Sequence, residues 1–180
     1  HAWASSGRTR DYAEIVALAA QSKSGTALID HDHETLAFPE YMPRAIRSLC
    51  RTTGQAEPED AGTLARSIFE SLACKYRQTL DRLAQLTGKR PGVIHVVGGG
   101  SRNALLCQLT ANICGCTVLA GPTETTALGN VLAGSIACGS ISDFAEGRRF
   151  VKLNHEPVEY HPAHVDWWDD LYARYTQIWT

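Results

Sequence analysis

Three consecutive glycines, Gly98, Gly99 and Gly100, directly follow the apolar run 93–97. Polar residues come next, Asn103 among them, and then a stretch with helical spacing. Because glycine has no Cβ, a ligand can approach the main chain closely at such a turn. The first N–H groups of a helix attract phosphate. The pattern therefore favours a phosphate or nucleotide contact, although a tight turn without a ligand would also use glycine.

The glycine run differs from two better-known phosphate-binding patterns. The third glycine of the dinucleotide pattern G-x-G-x-x-G would fall at Asn103, and no acidic residue ends the next predicted strand. The P-loop pattern G-x-x-x-x-G-K-[ST] is absent. These departures disfavour a Rossmann-like oxidoreductase or methyltransferase.

A second glycine-containing segment, 121–130, follows the next predicted strand. Thr123 is a candidate helix cap, and Glu124 would lie in the first turn. The helix is rich in small residues, which predict close packing rather than ligand contact: Ala127, Gly129, Ala133 and Gly134.

The remaining polar and sulfur-containing residues favour structural roles. His31-Asp32-His33 has no third ligand nearby, so we predict no metal site, and His95 is interpreted as a core histidine. The six cysteines form no paired C-x-x-C motif and are expected to be reduced thiols in the cytoplasm. A formal net charge of -2 and scattered basic residues disfavour nucleic-acid binding, and no apolar run is long enough to span a membrane.

The elements that must position the glycine run form an α/β pattern. Two strands joined by one helix predict a parallel βαβ unit. We predict that the first strand is buried on both faces, because its apolar run does not alternate. Helices are predicted at 10–21, 44–53, 60–87, 103–114, 125–138 and 165–179, and strands at 93–97 and 117–120, with further short strands at 28–29 and 150–153.

Two of the predicted helices carry apolar surfaces. The aromatic helix 165–179 is predicted to dock on the rest of the domain. The helix 60–87 carries an apolar stripe that is predicted to lie on a sheet: Leu64, Ile68, Leu72, Tyr76, Leu80 and Leu83.

Several of these segments resemble one protein family. Residues 93–141, with their GGG-x-x-N and T-A-L-G-N motifs, resemble the C-terminal lobe of the FGGY carbohydrate kinases. Residues 2–19 and 38–83 resemble, within that family, the kinases that phosphorylate L-rhamnulose. The similarity covers nearly all of the chain.

The resemblance implies an actin-like ATPase fold, which is ribonuclease H-like, with ATP and sugar bound between two lobes. Residues 1–180 would be the nucleotide-binding C-terminal lobe, and the N-terminal sugar-binding lobe and the first strands of this lobe would precede His1. It implies phosphorylation of L-rhamnulose at O1, with ATP and Mg²⁺. By the same resemblance Gly98, Gly99 and Gly100 contact the nucleotide and Asn103 lies near the adenosine, whereas no catalytic residue can be assigned in this chain.

Two alternatives to this interpretation stay open. The chain could belong to another FGGY kinase, of the xylulose, fuculose or glycerol type, or it could be a non-catalytic nucleotide-binding module of the same fold. In every case the sugar would be bound mainly by the other lobe, and the chain alone is expected to be inactive. Unpaired strand edges would also allow the isolated chain to self-associate.

Overall fold

The computed structural model describes residues 11–179, so the segment 2–10 of the family resemblance and Thr180 lie outside the described residues. Two short 3-10 turns, Glu34–Leu36 and Gly98–Arg102, accompany the regular elements. In chain order these elements are α1 Tyr12–Gln21, α2 Met42–Thr52, α3 Ala61–Thr87, β1 Val93–Val96, α4 Ala104–Cys114, β2 Thr117–Ala120, α5 Thr125–Ala137, α6 Phe144–Asn154, β3 Val158–Tyr160 and α7 Val165–Ile178.

The described strands form one sheet in the order β1-β2-β3. β1 and β2 are parallel and are joined through α4, which confirms the predicted βαβ unit. β3 is antiparallel to β2, with Tyr160 opposite Val118, and was not predicted. The prediction that β1 is buried on both faces is wrong, because Val93 and His95 on one face of the strand are exposed. Ile94 packs towards α4, whereas His95 is exposed and is therefore not the core histidine that we predicted.

The main core lies between helices. α3 packs on α1 and α4, and α7 docks on α3 and α4 as predicted, burying Trp168, Leu171 and Tyr175. The predicted apolar stripe of α3 is buried only near its start, where Leu64 lies in the core and Ile68 packs against the same cluster. Further along the helix, small residues face the neighbouring helices. Tyr76 and Leu83 of the stripe are exposed, and α3 lies on helices rather than on the sheet. The buried positions include Ala65, Ser67, Ser71, Ala73 and Cys74.

The segment around Leu28 and Ile29 is buried but is not the predicted strand. Its backbone hydrogen bonds go to side chains instead of to a neighbouring strand. The Gln55 side chain accepts from Leu28 N and donates to Leu28 O, both at 2.8 Å, and Ser71 Oγ accepts from Ile29 N at 2.9 Å. These bonds satisfy buried polar groups that a sheet would otherwise have to pair.

Residues 150–153 belong to α6 and do not form the predicted edge strand. The start of α6 explains this difference. Asp143 accepts from Glu146 N at 2.8 Å, and the Glu146 carboxylate accepts from Ser142 N at 2.7 Å, as in a capping box. The Ser142 hydroxyl also donates to the Glu146 carboxylate at 2.7 Å, and this bond together with the one from Ser142 N lowers the pKa of Glu146.

All six cysteines lie within residues 11–179, and each is a free thiol, as predicted. Cys138 is exposed and the other five are buried. Burial raises the pKa of Cys114 to about 12, so it behaves as a small apolar side chain. No helix in the described part of the chain is long and apolar enough to cross a membrane.

Candidate functional site

The candidate site lies where β1 and β2 end. Parallel neighbouring strands bring their carboxyl ends to one edge of a sheet, which is where α/β proteins bind ligands. Backbone hydrogen bonds join the two segments that leave these strands. Gly98 N donates to Pro122 O at 3.0 Å, and Gly121 N donates to Val96 O at 2.8 Å.

Gly98 and Gly99 have different roles in the glycine turn. Gly98 has a φ of +75°, in the left-handed region that favours glycine, and accepts a hydrogen bond from Ser101 Oγ at 2.8 Å. A Cβ added at Gly99 would have no heavy atom within 4 Å. Gly98 is therefore required by the backbone, whereas the main chain at Gly99 faces open space that a ligand can enter.

Asn103 lies behind the turn and not on its open side. Only 1% of its surface is exposed. Its Oδ1 accepts from Leu106 N and caps α4, and its Nδ2 donates to Tyr12 Oη, both at 3.0 Å. The structure thus places Asn103 where it fixes the turn against α1 and α4, and the role of Tyr12 was not foreseen from the sequence.

The helix that directly faces this edge is α5 rather than α4. The glycines form the start of the 3-10 turn Gly98–Arg102, and Asn103, which caps α4, follows this turn, contrary to the expectation that the glycines open that helix. α5 begins beside Gly98 and has no side-chain cap, so the predicted cap at Thr123 is wrong. Thr123 Oγ1 instead accepts a hydrogen bond from Arg102 Nη2 at 3.4 Å. The positive end of the α5 dipole therefore lies at the same edge as the glycine turn.

A cavity of about 580 Å³ opens between the glycine turn, the end of β2 and α5. Its size is that of a typical small-molecule site, and its wall is largely apolar with a few polar groups. The small residue Ala127 lines this cavity. A Cβ added at Gly129 or Gly134 would have no heavy atom within 4 Å. The close packing predicted for the small residues of α5 is therefore not seen at these positions. The lining residues are Ser101, Ala120, Gly121, Pro122, Thr123, Glu124, Ala127, Leu128, Val131, His155, Glu156 and Val158.

Two charged side chains lie at the mouth of the cavity. Arg102 Nη2 is 3.8 Å from Glu124 Oε1, and 67% and 82% of these side chains are exposed. His155 and Glu156 approach the cavity from the loop between α6 and β3. His155 and Glu156 were not predicted as site residues, because neither α6 nor β3 was predicted from the sequence.

The His31 segment lies away from this cavity. Lys75 Nζ contacts Asp30 at 3.0 Å and Asp32 at 2.8 Å, so these carboxylates belong to a lysine-centred ion pair. Within residues 11–179 no group of three His, Cys, Asp or Glu side chains is arranged to hold a metal ion.

Comparison with known proteins identifies the family. The sequence model for the FGGY family of carbohydrate kinases, C-terminal domain, matches residues 1–138. The chain belongs to the FGGY family. This finding confirms the family that the GGG-x-x-N and T-A-L-G-N motifs predicted.

Curated FGGY relatives extend the match over most of the chain. The rhamnulokinase of Bacteroides thetaiotaomicron is 42% identical over 164 residues, which are 91% of this chain and 34% of the relative. The rhamnulokinase of Enterococcus faecalis is 42% identical over 154 residues, 84% of this chain and 31% of the relative. The chain thus spans about a third of the length of the curated relatives it matches.

Solved structures of FGGY kinases share the fold. Xylulose kinase from Rhodospirillum rubrum superposes with a TM-score of 0.64 at 18% identity, over 93% of this chain and 33% of that one. Gluconate kinase from Lactobacillus acidophilus gives 0.62 at 15% identity, over 98% and 37%. These similarities confirm the predicted actin-like fold of FGGY kinases.

Proposed function

We propose that this chain is the nucleotide-binding C-terminal lobe of an ATP-dependent sugar kinase that forms L-rhamnulose 1-phosphate. The observation that carries the proposal is the cavity at the ends of β1 and β2, beside a glycine turn whose main chain is open at Gly99. An apolar cavity next to backbone N–H groups suits a nucleoside joined to phosphates. Membership of a carbohydrate kinase family supplies the phosphoryl acceptor class.

L-Rhamnulose is favoured over other sugars by sequence similarity. Two rhamnulokinases are 42% identical across more than four fifths of the chain, whereas the xylulose and gluconate kinase structures are 18% and 15% identical. An FGGY kinase of the xylulose, fuculose or glycerol type remains the second candidate.

Each part of the site has a distinct task in phosphoryl transfer. The glycine turn, whose main chain is open at Gly99, would bind the nucleotide phosphates, and the cavity beside α5 would hold the nucleoside. Asn103, held by its bonds to Leu106 N and Tyr12 Oη, keeps the turn in position. Phosphoryl transfer depends mainly on such positioning and on charge stabilisation.

The remaining requirements of the reaction are assigned outside this chain. Mg²⁺ would enter with the ATP phosphates and offset their charge. We assign no metal ligand and no catalytic residue here, because the family resemblance places the sugar and its base in the other lobe. The cytoplasm is the proposed location, and the unpaired edge of β1 is a surface through which the isolated chain could self-associate.

We predict that the 180-residue chain binds ATP but does not phosphorylate L-rhamnulose. Binding follows from the cavity and the glycine turn, and inactivity follows from the absence of an assigned sugar site and base. Calorimetry with Mg²⁺ and either ATP or NAD, together with a coupled assay for ADP release, measures both properties. Binding of NAD but not ATP would contradict the proposal, as would sugar-dependent ADP release by the chain alone.

A chimera separates a kinase lobe from a non-catalytic module. Joining this chain to the preceding two thirds of the Bacteroides rhamnulokinase should give ATP- and L-rhamnulose-dependent ADP release, because the matched region covers 91% of this chain. The same chimera with Gly99→Val is the matched control. A folded, ATP-binding chimera without turnover would favour the non-catalytic module.

A further inference from the structure

Arg102 and Glu124 contact each other at the edge of the cavity, which Glu124 lines and which Arg102 adjoins through its contacts with Thr123 and Glu124. Arg102 belongs to the turn that begins at Gly98, and Glu124 immediately precedes α5. Arg102 Nη2 lies 3.8 Å from Glu124 Oε1 and donates to Thr123 Oγ1 at 3.4 Å. The guanidinium therefore spans the two segments that form the phosphate end of the proposed site.

The charge of Glu124 conflicts with nucleotide binding at this position. Its carboxylate stands at the uncapped start of α5, close to the glycine turn, and would repel a phosphate there. Thr123 and Glu124 both line the cavity, so this charge is part of the site and not of a remote surface.

The pair is built so that it can separate. Its two side chains are 67% and 82% exposed, and its closest N–O distance is 3.8 Å, so the interaction is weak and screened by solvent. A guanidinium forms stronger, frequently bidentate hydrogen bonds with a phosphate group. A nucleotide phosphate that enters the site would therefore compete successfully with Glu124 for Arg102.

We infer that Arg102 is a phosphate-binding residue of the nucleotide site and that Glu124 competes with the phosphate for it. This inference rests on the proposed function. Arg102 turns from Glu124 towards the nucleotide phosphates when ATP or ADP binds, whereas adenosine leaves the pair intact. Arg102 thus makes affinity depend on the phosphates, and the contact with Glu124 reduces that contribution.

Four proteins test the inference: the unmodified chain, Arg102→Gln, Glu124→Gln and the double variant. The affinities of each for ATP, ADP and adenosine are measured by calorimetry at fixed salt. Arg102→Gln should weaken ATP binding about tenfold through loss of a charge-assisted hydrogen bond, and adenosine binding by less than about twofold. Glu124→Gln should strengthen ATP binding about threefold, and this gain should be smaller in the double variant, where only the direct repulsion between Glu124 and the phosphate is relieved.

Arg51→Gln is the matched control. Arg51 forms a surface pair with Glu57 at 2.8 Å, with side chains 69% and 35% exposed, and neither residue lines the cavity. This variant should leave all three affinities unchanged, and melting curves of every variant report whether it folds.

The outcomes distinguish this inference from the function on which it rests. If the unmodified chain does not bind ATP, the proposed function itself is wrong. If ATP binds and Gly99→Val weakens it, but Arg102→Gln does not, only the role of Arg102 is overturned. Equal losses for ATP and adenosine in Arg102→Gln, or a gain from Glu124→Gln that is just as large without Arg102, would also overturn it.

Discussion

Gly99→Val should lower the affinity for ATP by at least about tenfold, through loss of the phosphate contacts at a main chain that the nucleotide must approach. A Cβ at this position meets no heavy atom within 4 Å, and Gly99 does not share the positive φ of Gly98. Valine should therefore fit the folded chain while its branched side chain occupies the space intended for the ligand. Calorimetric titration with ATP and Mg²⁺ measures the effect.

Gly92→Val is the matched control for this substitution. Gly92 is an exposed loop glycine, and a Cβ added there would also have no heavy atom within 4 Å. It lies at the amino end of β1, away from the carboxyl ends of the strands where the candidate site lies. The Gly92→Val variant should have the same affinity for ATP as the unmodified chain. Equal ATP affinity of Gly99→Val and the unmodified chain, with equal melting temperatures, would show that the nucleotide does not contact this turn.

Glu70→Ala should destabilise the chain by about 3–5 kcal/mol, the usual cost of removing one partner of a buried ion pair. Glu70 is fully buried, and it accepts from Arg66 Nε at 2.5 Å, from Gly25 N at 2.8 Å and from Ser24 Oγ. The Arg66 side chain is only 11% exposed, so its charge would be left without a buried partner. The partly buried N–H group of Gly25 would lose its acceptor as well.

Urea unfolding monitored by tryptophan fluorescence measures this loss. Glu57→Ala is the matched control because Glu57 pairs with Arg51 on the surface, where such a pair contributes about 0–1 kcal/mol. Glu70→Gln should fall between the two, since it keeps an acceptor but removes the charge. A loss below about 1 kcal/mol for Glu70→Ala would contradict the importance of this pair.

The sequence predicted the elements whose signals are local. The β-branched run before Gly98 and the helical spacing after Asn103 were enough to predict β1, α4 and β2 in a parallel unit. The aromatic spacing of residues 165–179 likewise predicted α7 and its docking.

Predictions failed where distant contacts decide the structure. Leu28 is extended and apolar like a strand, but Gln55, 27 residues away, satisfies its backbone groups. β3 has only three residues and depends on pairing with β2, so its own sequence carries little signal. The predicted stripe of α3 was right at Leu64 and wrong at Tyr76 and Leu83, because small residues, which give weak hydrophobic signals, form most of the buried surface of this helix.

In the candidate site, too, features with a local signal were predicted from the sequence, and features that depend on distant contacts were not. The three glycines identify the turn from sequence alone, and Gly98 adopts a left-handed backbone that few other residues suit. The cavity wall could not be predicted, since its residues come from segments more than 50 positions apart, from Ser101 to Val158. Asn103 was predicted as a nucleotide contact from family resemblance, whereas its burial and its bond to Tyr12 Oη support a positioning role.

The most direct test of the nucleotide site is a titration of selectively ¹⁵N-glycine-labelled chain with ATP and Mg²⁺. The chain has 15 glycines, so the backbone amide spectrum is simple enough to assign by substitution. We expect saturable shifts at Gly98, Gly99, Gly100 and Gly121, which surround the ends of β1 and β2, and unchanged signals at Gly54 and Gly88, which terminate distant helices. Saturable shifts confined to glycines away from the strand ends, with Gly98–Gly100 unmoved, would show that ATP binds elsewhere and would contradict the account.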